Sequence, residues 1–266
     1  MAKLRILQVD SFTSEPFKGN PAGVCLLQEE ATESWMRSVA AEMNLPETAF
    51  LVCRAGSEFS IRWFTPTVEV PLCGHATLAS AHALWEEEVV CSEATITFHP
   101  NEGILSAQRE SGWIRLDFPA VPVDESAAPR TLDKALGCRP VSVYENAFPA
   151  YLAELDSEET VRRLEPDLAA LRRIGGGTCI VTARSETNAC DFVSRFFAPG
   201  LGIDEDPVTG AAHCSLGPFW AERLGKNELT GHQVSKRGGI VRVRVRGDRV
   251  DLLGEAVTVI RGELFA

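Results

Sequence analysis

Apolar and polar residues alternate along the chain with two different periods. Between residues 35 and 43 the apolar positions recur at helical spacing behind Thr32, which predicts an amphipathic helix capped by that side chain. A shorter helix is predicted behind Ser157, with an interruption near Pro166. Residues 240–246 alternate arginine with valine, which predicts an antiparallel strand whose arginines face solvent. Further strands are predicted at residues 4–9, 49–53, 95–98, 114–118 and 250–253. Because strands rarely alternate with helices in this pattern, it favours an α+β fold over a doubly wound sheet.

The two halves of the chain repeat a pattern of strand, loop, glycine and apolar helix. Residues 58–66 match residues 191–199, which lie half a chain length away and share Phe, Arg, Phe and Pro at equivalent positions. Each segment is followed by a glycine, Gly74 or Gly210, that opens a helix of small and apolar residues. We interpret this as an internal duplication that gives two domains, with a linker in the Pro-containing stretch 119–129.

Composition excludes several classes of protein. The chain has 266 residues, of which 45% are hydrophobic and 24% charged, as in ordinary globular domains. Its net charge of −11, without a long basic run, argues against binding to nucleic acid. No segment approaches the roughly 20 apolar residues of a membrane helix, and the N-terminus lacks a signal-peptide core. The eight cysteines lack regular spacing, which is typical of reduced thiols. We therefore expect a cytoplasmic protein that binds neither nucleic acid nor membranes.

The two helix-opening glycines are candidate anion-binding positions. The start of a helix carries unpaired N–H groups and a partial positive charge, and glycine lets a ligand approach the backbone closely. Two such helix ends facing each other would hold a carboxylate or an enolate between the two domains, even in an acidic protein. For Gly74 or Gly210 taken alone, an ordinary turn is the commoner interpretation.

Titratable residues cluster around these glycines. Cys73 and His75 flank Gly74, and Asp206 precedes the second glycine as either a helix cap or an acid/base. Cysteines and histidines of this kind more often pack in a core, and together with His213 they lack zinc-like spacing, so no metal site is predicted. Two further residues draw no attention on pattern alone, because one resembles an exposed carboxylate and the other a turn residue: Glu47 and Asn20.

Four motifs, in order along the chain, resemble the phenazine biosynthesis-like (PhzF) family, which shares its fold with diaminopimelate epimerase and proline racemase. They lie at residues 17–22, 43–50, 71–79 and 205–210, and the resemblance extends through essentially the whole chain. It implies two pseudo-symmetric domains, each a curved, mostly antiparallel sheet wrapped round a central helix, with the last strand returning to the first domain.

The resemblance also implies domain boundaries. We expect residues 1–122, with about 257–266, to form the N-terminal domain and residues 123–256 the C-terminal domain, with the active site in the cleft between them. A homodimer is expected from the family as well.

Carried over residue by residue, the family motifs imply Glu47 as the general acid/base, with His75 and Asp206 as further catalytic residues. The implied substrate-binding positions are Asn20, Cys73, Gly74, Gly210 and Ala211. No metal or cofactor is implied. Many members have Ser after the second glycine, where its hydroxyl is thought to help relay the proton, and Ala211 departs from that pattern.

The expected activity is therefore a cofactor-independent isomerisation that moves a proton on a small anionic, carboxylate-bearing substrate. One alternative is an amino-acid racemase or epimerase that uses Cys73. The second cysteine of the epimerase relatives would fall near Pro207, which cannot titrate, unless Cys214 substitutes for it. The other alternative is a non-catalytic binding protein on the same fold.

Overall fold

A computed structural model gives the fold of residues 3–127, 129–146 and 151–265. By its internal contacts the chain divides into two units, Met1–Asp117 with Leu253–Ala266, and Phe118–Leu252. The sequence-based boundaries, at residues 122 and 257, lie a few residues further along the chain than these divisions.

Among the described residues, the first unit contains nine strands and two helices. The strands are β1 (Lys3–Ser11), β2 (Asn20–Leu27), β3 (Glu47–Ala55), β4 (Glu58–Phe64), β5 (Glu69–Val70), β6 (Ile96–His99), β7 (Leu105–Glu110), β8 (Trp113–Pro119) and, from the end of the chain, β18 (Ala256–Phe265). The helices are α1 (Glu33–Met43) and α2 (Gly74–Glu86). Thr32 caps α1 as predicted, because its hydroxyl accepts a hydrogen bond from the Trp35 amide.

The strands of the first unit form one mixed sheet. Its order is β18-β1-β2-β3-β4-β6-β7-β8. Strand β6 pairs with the first residues of β4, and the short strand β5 pairs with its last two residues. The β2–β3 and β4–β6 pairs are parallel and the others are antiparallel. The pairing of β18 with β1 brings the last strand back to the first unit, as expected from the family.

The described part of the second unit contains nine strands and four α-helices. The strands are β9 (Val123–Glu125), β10 (Ser142–Asn146), β11 (Tyr151–Glu154), β12 (Cys179–Arg184), β13 (Phe192–Ala198), β14 (Ile203–Asp206), β15 (Glu228–Gln233), β16 (Gly239–Arg246) and β17 (Arg249–Gly254). The helices are α3 (Leu132–Leu136), α4 (Glu158–Arg163), α5 (Leu168–Leu171) and α6 (Gly210–Leu224). Ser157 caps α4, as predicted.

The second unit repeats the strand order of the first. Its sheet runs β9-β10-β11-β12-β13-β15-β16, with β14 on β13, and its parallel pairs are β11–β12 and β13–β15. In this order β9 takes the place of β18, and α6 takes the place of α2. The internal duplication is therefore visible in the topology, and the mostly antiparallel α+β architecture is confirmed.

The matched segments found in the sequence carry the same side-chain arrangement in both units. In β4, Arg62 forms two hydrogen bonds with Glu69 (2.7 and 2.6 Å) and lies over the Phe64 ring. In β13, Arg195 forms two hydrogen bonds with Glu205 (2.7 and 3.0 Å) and lies over an equivalent phenylalanine. Each bidentate pair ties the long strand to the short one that leads into the glycine-initiated helix.

Helices α2 and α6 are buried on nearly all sides, as their small and apolar sequences predict. Helix α2 packs against β1, β2, β3 and β18, and α6 packs against β15 and β16. Among the described residues, no helix is long and apolar enough to cross a membrane.

Two local predictions are corrected. Residues 119–129 are not a plain linker, because β9 lies within them and pairs with β10; Ala128 lies outside the described residues. The arginines of β16 do not all simply face solvent, because Arg246 forms two hydrogen bonds (2.9 and 2.6 Å) with the fully buried carboxylate of Asp251.

Candidate active site

Three chain segments of the first unit meet at one end of its sheet. Strand β3 begins at Glu47, and β2 begins at Asn20. Because these two strands are parallel, with Ala22 opposite Glu47, both strands begin at the same end of the sheet. Helix α2 begins beside them and brings His75, which approaches both side chains.

His75 is the centre of this cluster. Its Nε2 lies 3.2 Å from Glu47 Oε2, and its Nδ1 lies 3.2 Å from Asn20 Nδ2 and 3.5 Å from Cys73 Sγ. The Ser11 hydroxyl donates to the His75 carbonyl oxygen (2.8 Å), which fixes the backbone at this point. The structure thus brings together five of the predicted site residues, since Gly74 lies between Cys73 and His75.

Burial makes the electrostatics of the cluster strong. The Glu47 side chain is 13% exposed and the His75 side chain 6% exposed, so water screens their interaction little. Burial opposes the charge of His75, but the Cys73 sulfur and the Glu47 carboxylate outweigh it and raise the pKa of His75 well above its ordinary value. Burial, and then the charge of Glu47, raise the pKa of the Cys73 thiol. The carboxyl group of Glu47 and the thiol of Cys73 therefore flank the two nitrogens of the ring.

The protonation state of His75 is linked to the orientation of the Asn20 side-chain amide. With Nδ1 unprotonated, the ring is an acceptor for a hydrogen bond from Asn20 Nδ2, which lies 3.2 Å away. A second proton on the ring turns Nδ1 into a donor, and the amide must then present its oxygen. Proton uptake at His75 therefore exchanges a donor for an acceptor at the neighbouring amide.

Glu47, Cys73 and His75 also have the spacing of a metal-ligand set, because one donor atom from each lies within 4.8 Å of the others. The directions do not suit chelation, however. Glu47 faces Nε2 of the ring and Cys73 faces Nδ1, and a histidine binds a given ion through one nitrogen. As arranged, the three side chains form a path for protons along the imidazole ring.

Helix α2 presents its first turn to this cluster. Cys73 is the N-cap residue, but its side chain does not cap the helix. The carbonyl of Cys73 accepts hydrogen bonds from the Thr77 amide (3.1 Å) and hydroxyl (2.6 Å), which hold the turn in place. The Gly74 N–H therefore lies at a positive helix end, directly beside an acid/base pair.

In the second unit, the predicted residues lie on the loop that leads into α6. The Thr209 hydroxyl donates to Asp206 Oδ2 (2.5 Å). Gln233, fully buried at the end of β15, accepts from the Thr209 amide (2.8 Å) and donates to the Asp206 carbonyl oxygen (2.7 Å). Gly210 starts the helix and is buried, whereas Ala211 is exposed. Asp206 is thus held in a fixed loop.

The equivalent of Cys73 in the second unit is the N-cap of α6, Thr209, rather than a residue near Pro207. Threonine does not titrate in the accessible pH range, so a two-thiol site gains no support here. Cys214 lies further along the helix, where burial raises the pKa of its thiol to about 12. It is therefore a poor substitute for the second thiol of an epimerase.

Sequence reasoning missed several residues that shape both loops. Ser11, Thr77 and Gln233 act through hydrogen bonds to backbone groups that lie 64, 4 and 24 residues away. Only Thr77 had a local signal, since a threonine four residues after a helix start can bond back to the preceding turn. The other two contacts each join a strand to the start of a helix that is distant in the chain, so they cannot be read from sequence.

The duplicated α+β topology defines a fold class, the diaminopimelate epimerase-like fold, and a buried carboxylate–histidine contact lies at the start of α2. A family model described as phenazine biosynthesis-like protein matches residues 9–262. An uncharacterised isomerase of Halalkalibacterium halodurans is 50% identical over 98% of both chains. The mouse phenazine biosynthesis-like domain-containing protein 2 is 40% identical over 99% of this chain and 100% of its own.

Solved structures agree with this assignment. A PhzF-family protein from Enterococcus faecalis superposes with a TM-score of 0.94 at 38% identity over the full length of both chains. A hydroxyproline epimerase from Agrobacterium vitis, at 11% identity and a TM-score of 0.62 over 98% of this chain and 92% of its own, shares the fold alone. The chain belongs to the phenazine biosynthesis-like (PhzF) family, and its activity is that of an isomerase.

Proposed function

We propose that the protein is a cofactor-independent isomerase in which Glu47 moves a proton on a small carboxylate-bearing substrate. The observation that supports this most directly is the contact of 3.2 Å between the Glu47 carboxylate and His75 Nε2, in a nearly buried setting. A general base needs a positioned, ionised carboxylate with restricted access to water, and this pair supplies one.

The proposed reaction conserves all atoms. Glu47 takes a proton from a carbon next to an unsaturated or carboxylate group, and the electron pair of the C–H bond moves into the adjacent π system. The protonated Glu47 then returns the proton to a different carbon, so that a double bond changes place. His75 holds the Glu47 carboxyl group in position through the contact at Nε2.

The other predicted residues have supporting roles in this proposal. The Gly74 amide, at the positive end of α2, binds the substrate carboxylate or the developing negative charge. Asn20 contacts the substrate through the amide that faces His75. Asp206 and Gly210 are expected to act on the same substrate, with Cys73 and Ala211 as further contacts. A homodimer and a cytoplasmic location also remain predictions.

A racemase that uses Cys73 is less well supported. Burial and the charge of Glu47 both raise the pKa of this thiol, so the thiolate needed as a base is scarce at neutral pH. The thiol also lies against His75 Nδ1, on the opposite side of the ring from Glu47.

The test is uptake of deuterium from D2O, followed by mass spectrometry on a panel of small unsaturated carboxylic acids and cyclic α-amino acids. A dihydro-hydroxyanthranilate, which the resemblance suggests, and trans-4-hydroxy-L-proline are included. We expect the wild-type protein to label at least one compound and Glu47→Gln to slow labelling by about 10²–10⁴-fold.

The matched control is Glu58→Gln, which alters a carboxylate–histidine pair of similar length on the surface (3.0 Å to His99, Glu58 54% exposed). Labelling by this variant should equal that of the wild type. Undiminished labelling by Glu47→Gln would show that another residue removes the proton.

A further inference from the structure

A cavity of about 340 Å³ lies in the first unit between α1, β3, β4 and the turn between β6 and β7. Its lining residues are different from those of the candidate active site. Its apolar lining residues include the buried Met36 and Phe50 and the partly buried Leu27. The polar lining residues are Glu30, Arg54, Ser60, Arg62, His99 and Asn101. This volume and this mixture of groups are typical of a small-molecule site.

Strand register explains why these groups converge. Phe50 lies opposite Arg62 and Val52 lies opposite Ser60 in the antiparallel β3–β4 pair. Paired residues project from the same face of a sheet. Arg54, at the irregularity in pairing between Cys53 and Ala55, also lines the cavity. The cavity thus lies over one sheet face and is bordered by the N-terminal part of α1.

The same face of the second unit is closed. The position of Ser60 is taken there by Val193, which belongs to a buried apolar cluster with residues of α4 and α5. The chain itself also satisfies the equivalent arginine, because Arg195 Nη1 donates to the carbonyl oxygens of Val161 (3.3 Å) and Leu164 (2.6 Å).

In the first unit that acceptor is missing among the described residues. Arg62 uses Nε and Nη2 for Glu69 (2.7 and 2.6 Å), and its Nη2 also lies 3.8 Å from Glu33 Oε2. Arg54 is exposed and donates from Nε to the Ser60 hydroxyl (2.8 Å). Both guanidinium groups line the cavity beside its apolar side chains.

Charge decides which ligand suits these donors. A simple carboxylate would meet the arginines but would also face the carboxylate of Glu30 at the rim. A zwitterion satisfies both, because its carboxylate binds the guanidinium groups and its ammonium group binds Glu30. We infer that this cavity is a binding site for a small α-amino acid with an apolar side chain, which packs on Met36 and Phe50.

The experiment follows the methionine methyl groups by NMR. The chain has three methionines, and Met36 lines the cavity whereas Met43, also in α1, does not. L-phenylalanine is the probe, titrated into protein carrying ¹³C-methyl methionine. We expect a saturable shift of the Met36 signal, through the ring current of the ligand, and little change at Met43.

Variants and analogues complete the design. Arg54→Gln should weaken binding about tenfold through loss of a charge-assisted hydrogen bond. The control Arg163→Gln changes a surface arginine, 81% exposed, and should bind as the wild type does. Ala31→Leu, which fills the cavity from the residue before the α1 cap, should abolish the shift. 3-Phenylpropanoate, which lacks the ammonium group, should bind more weakly, and 2-phenylethylamine, which lacks the carboxylate, should not bind.

The inference is wrong if L-phenylalanine leaves Met36 unshifted, if Arg54→Gln binds as tightly as the wild type, or if 2-phenylethylamine binds equally well. Glu47→Gln separates this site from the proposed isomerase site. Unchanged L-phenylalanine binding by that variant supports a distinct site, whereas loss of binding would place the ligand at Glu47 instead.

Discussion

Replacing Glu47 with glutamine should change how the free energy of unfolding of the protein depends on pH. The substitution keeps the size of the side chain and removes its charge, so it isolates the electrostatic part of the contact with His75. Because it needs no substrate, it tests the acid/base pair independently of the reaction.

The structure sets the size of the effect. Two unit charges 3.2 Å apart attract each other by roughly 5 kcal/mol at an effective dielectric constant of about 20. Part of this is offset, because the variant no longer buries a carboxylate and the amide of its new side chain can still contact the ring. We expect Glu47→Gln to lower the free energy of unfolding by about 2–3 kcal/mol at pH 6.

The sign of the pH effect follows from the direction of the shift. In the wild type the pKa of His75 is raised above its unfolded value of 6.5, so its stabilising contribution is complete below pH 6.5 and is lost as pH rises through the folded pKa. Glu47→Gln removes one of the two neighbours that raise the pKa of His75, so this pKa should fall in the variant. The stabilising contribution of His75 at low pH should then be smaller, and the gap between the two proteins should narrow as pH rises through the folded pKa of the wild type.

Urea unfolding at pH 5.5, 7 and 9 measures this gap, and NMR titration of the histidine side chains measures the pKa directly. Glu58→Gln is the control, because its partner His99 lies at the surface and such pairs contribute about 1 kcal/mol or less. A gap that is the same at all three pH values, or a pKa of His75 that does not fall in the variant, would refute the electrostatic account of the site.

Three further outcomes follow from the structure. Burial lowers the pKa of His213 to about 4, so wild-type stability should fall by roughly 3 kcal/mol between pH 6.5 and pH 4, and urea unfolding of His213→Leu should show a smaller fall. Asp251→Asn should lower the free energy of unfolding by about 3 kcal/mol, because it leaves Arg246 without its buried charge partner, whereas the exposed Glu228→Gln should have little effect; equal effects would count against the buried pair. Iodoacetamide should alkylate the exposed Cys53 and Cys91 before the buried Cys73, as followed by peptide mass spectrometry, and rapid, substrate-protected alkylation of Cys73 would instead favour the racemase hypothesis.

Features that depend on neighbouring residues could be predicted from the sequence. Thr32 and Ser157 cap the expected helices because a capping hydroxyl bonds to an amide three residues later. The duplication was also visible, because the Arg62 and Arg195 pairs require an arginine and aromatic residues at fixed spacing on one strand. These features can be recognised in the sequence because the residues that form them lie close together along the chain.

Features that depend on pairing between distant segments could not be predicted in the same way. Glu47 follows a turn and looks exposed in sequence, yet the parallel β2–β3 pair and the start of α2 enclose it. The short strand β9 was hidden in a Pro-containing stretch, because its three residues become a strand only by pairing with β10. The family resemblance identified Glu47 where pattern alone did not.

The two units share the backbone arrangement at the start of α2 and α6 but differ in the side chains that follow the glycine. In α2 the carbonyl of the N-cap residue accepts a hydrogen bond from the Thr77 side chain, and in α6 the equivalent carbonyl accepts one from His213. The residue after the glycine differs, however, since His75 occupies this position in α2 and Ala211 occupies it in α6.

This difference bears on where protons are handled. A methyl side chain at Ala211 neither carries nor relays a proton, and His213, one turn further on, is buried with its pKa lowered to about 4 and its Nδ1 bound to a backbone carbonyl. In α2 the same first turn carries His75 against the Glu47 carboxylate. A glycine-initiated helix start with unpaired backbone N–H groups is therefore common to both units, whereas the histidine directly after the glycine belongs to the first unit.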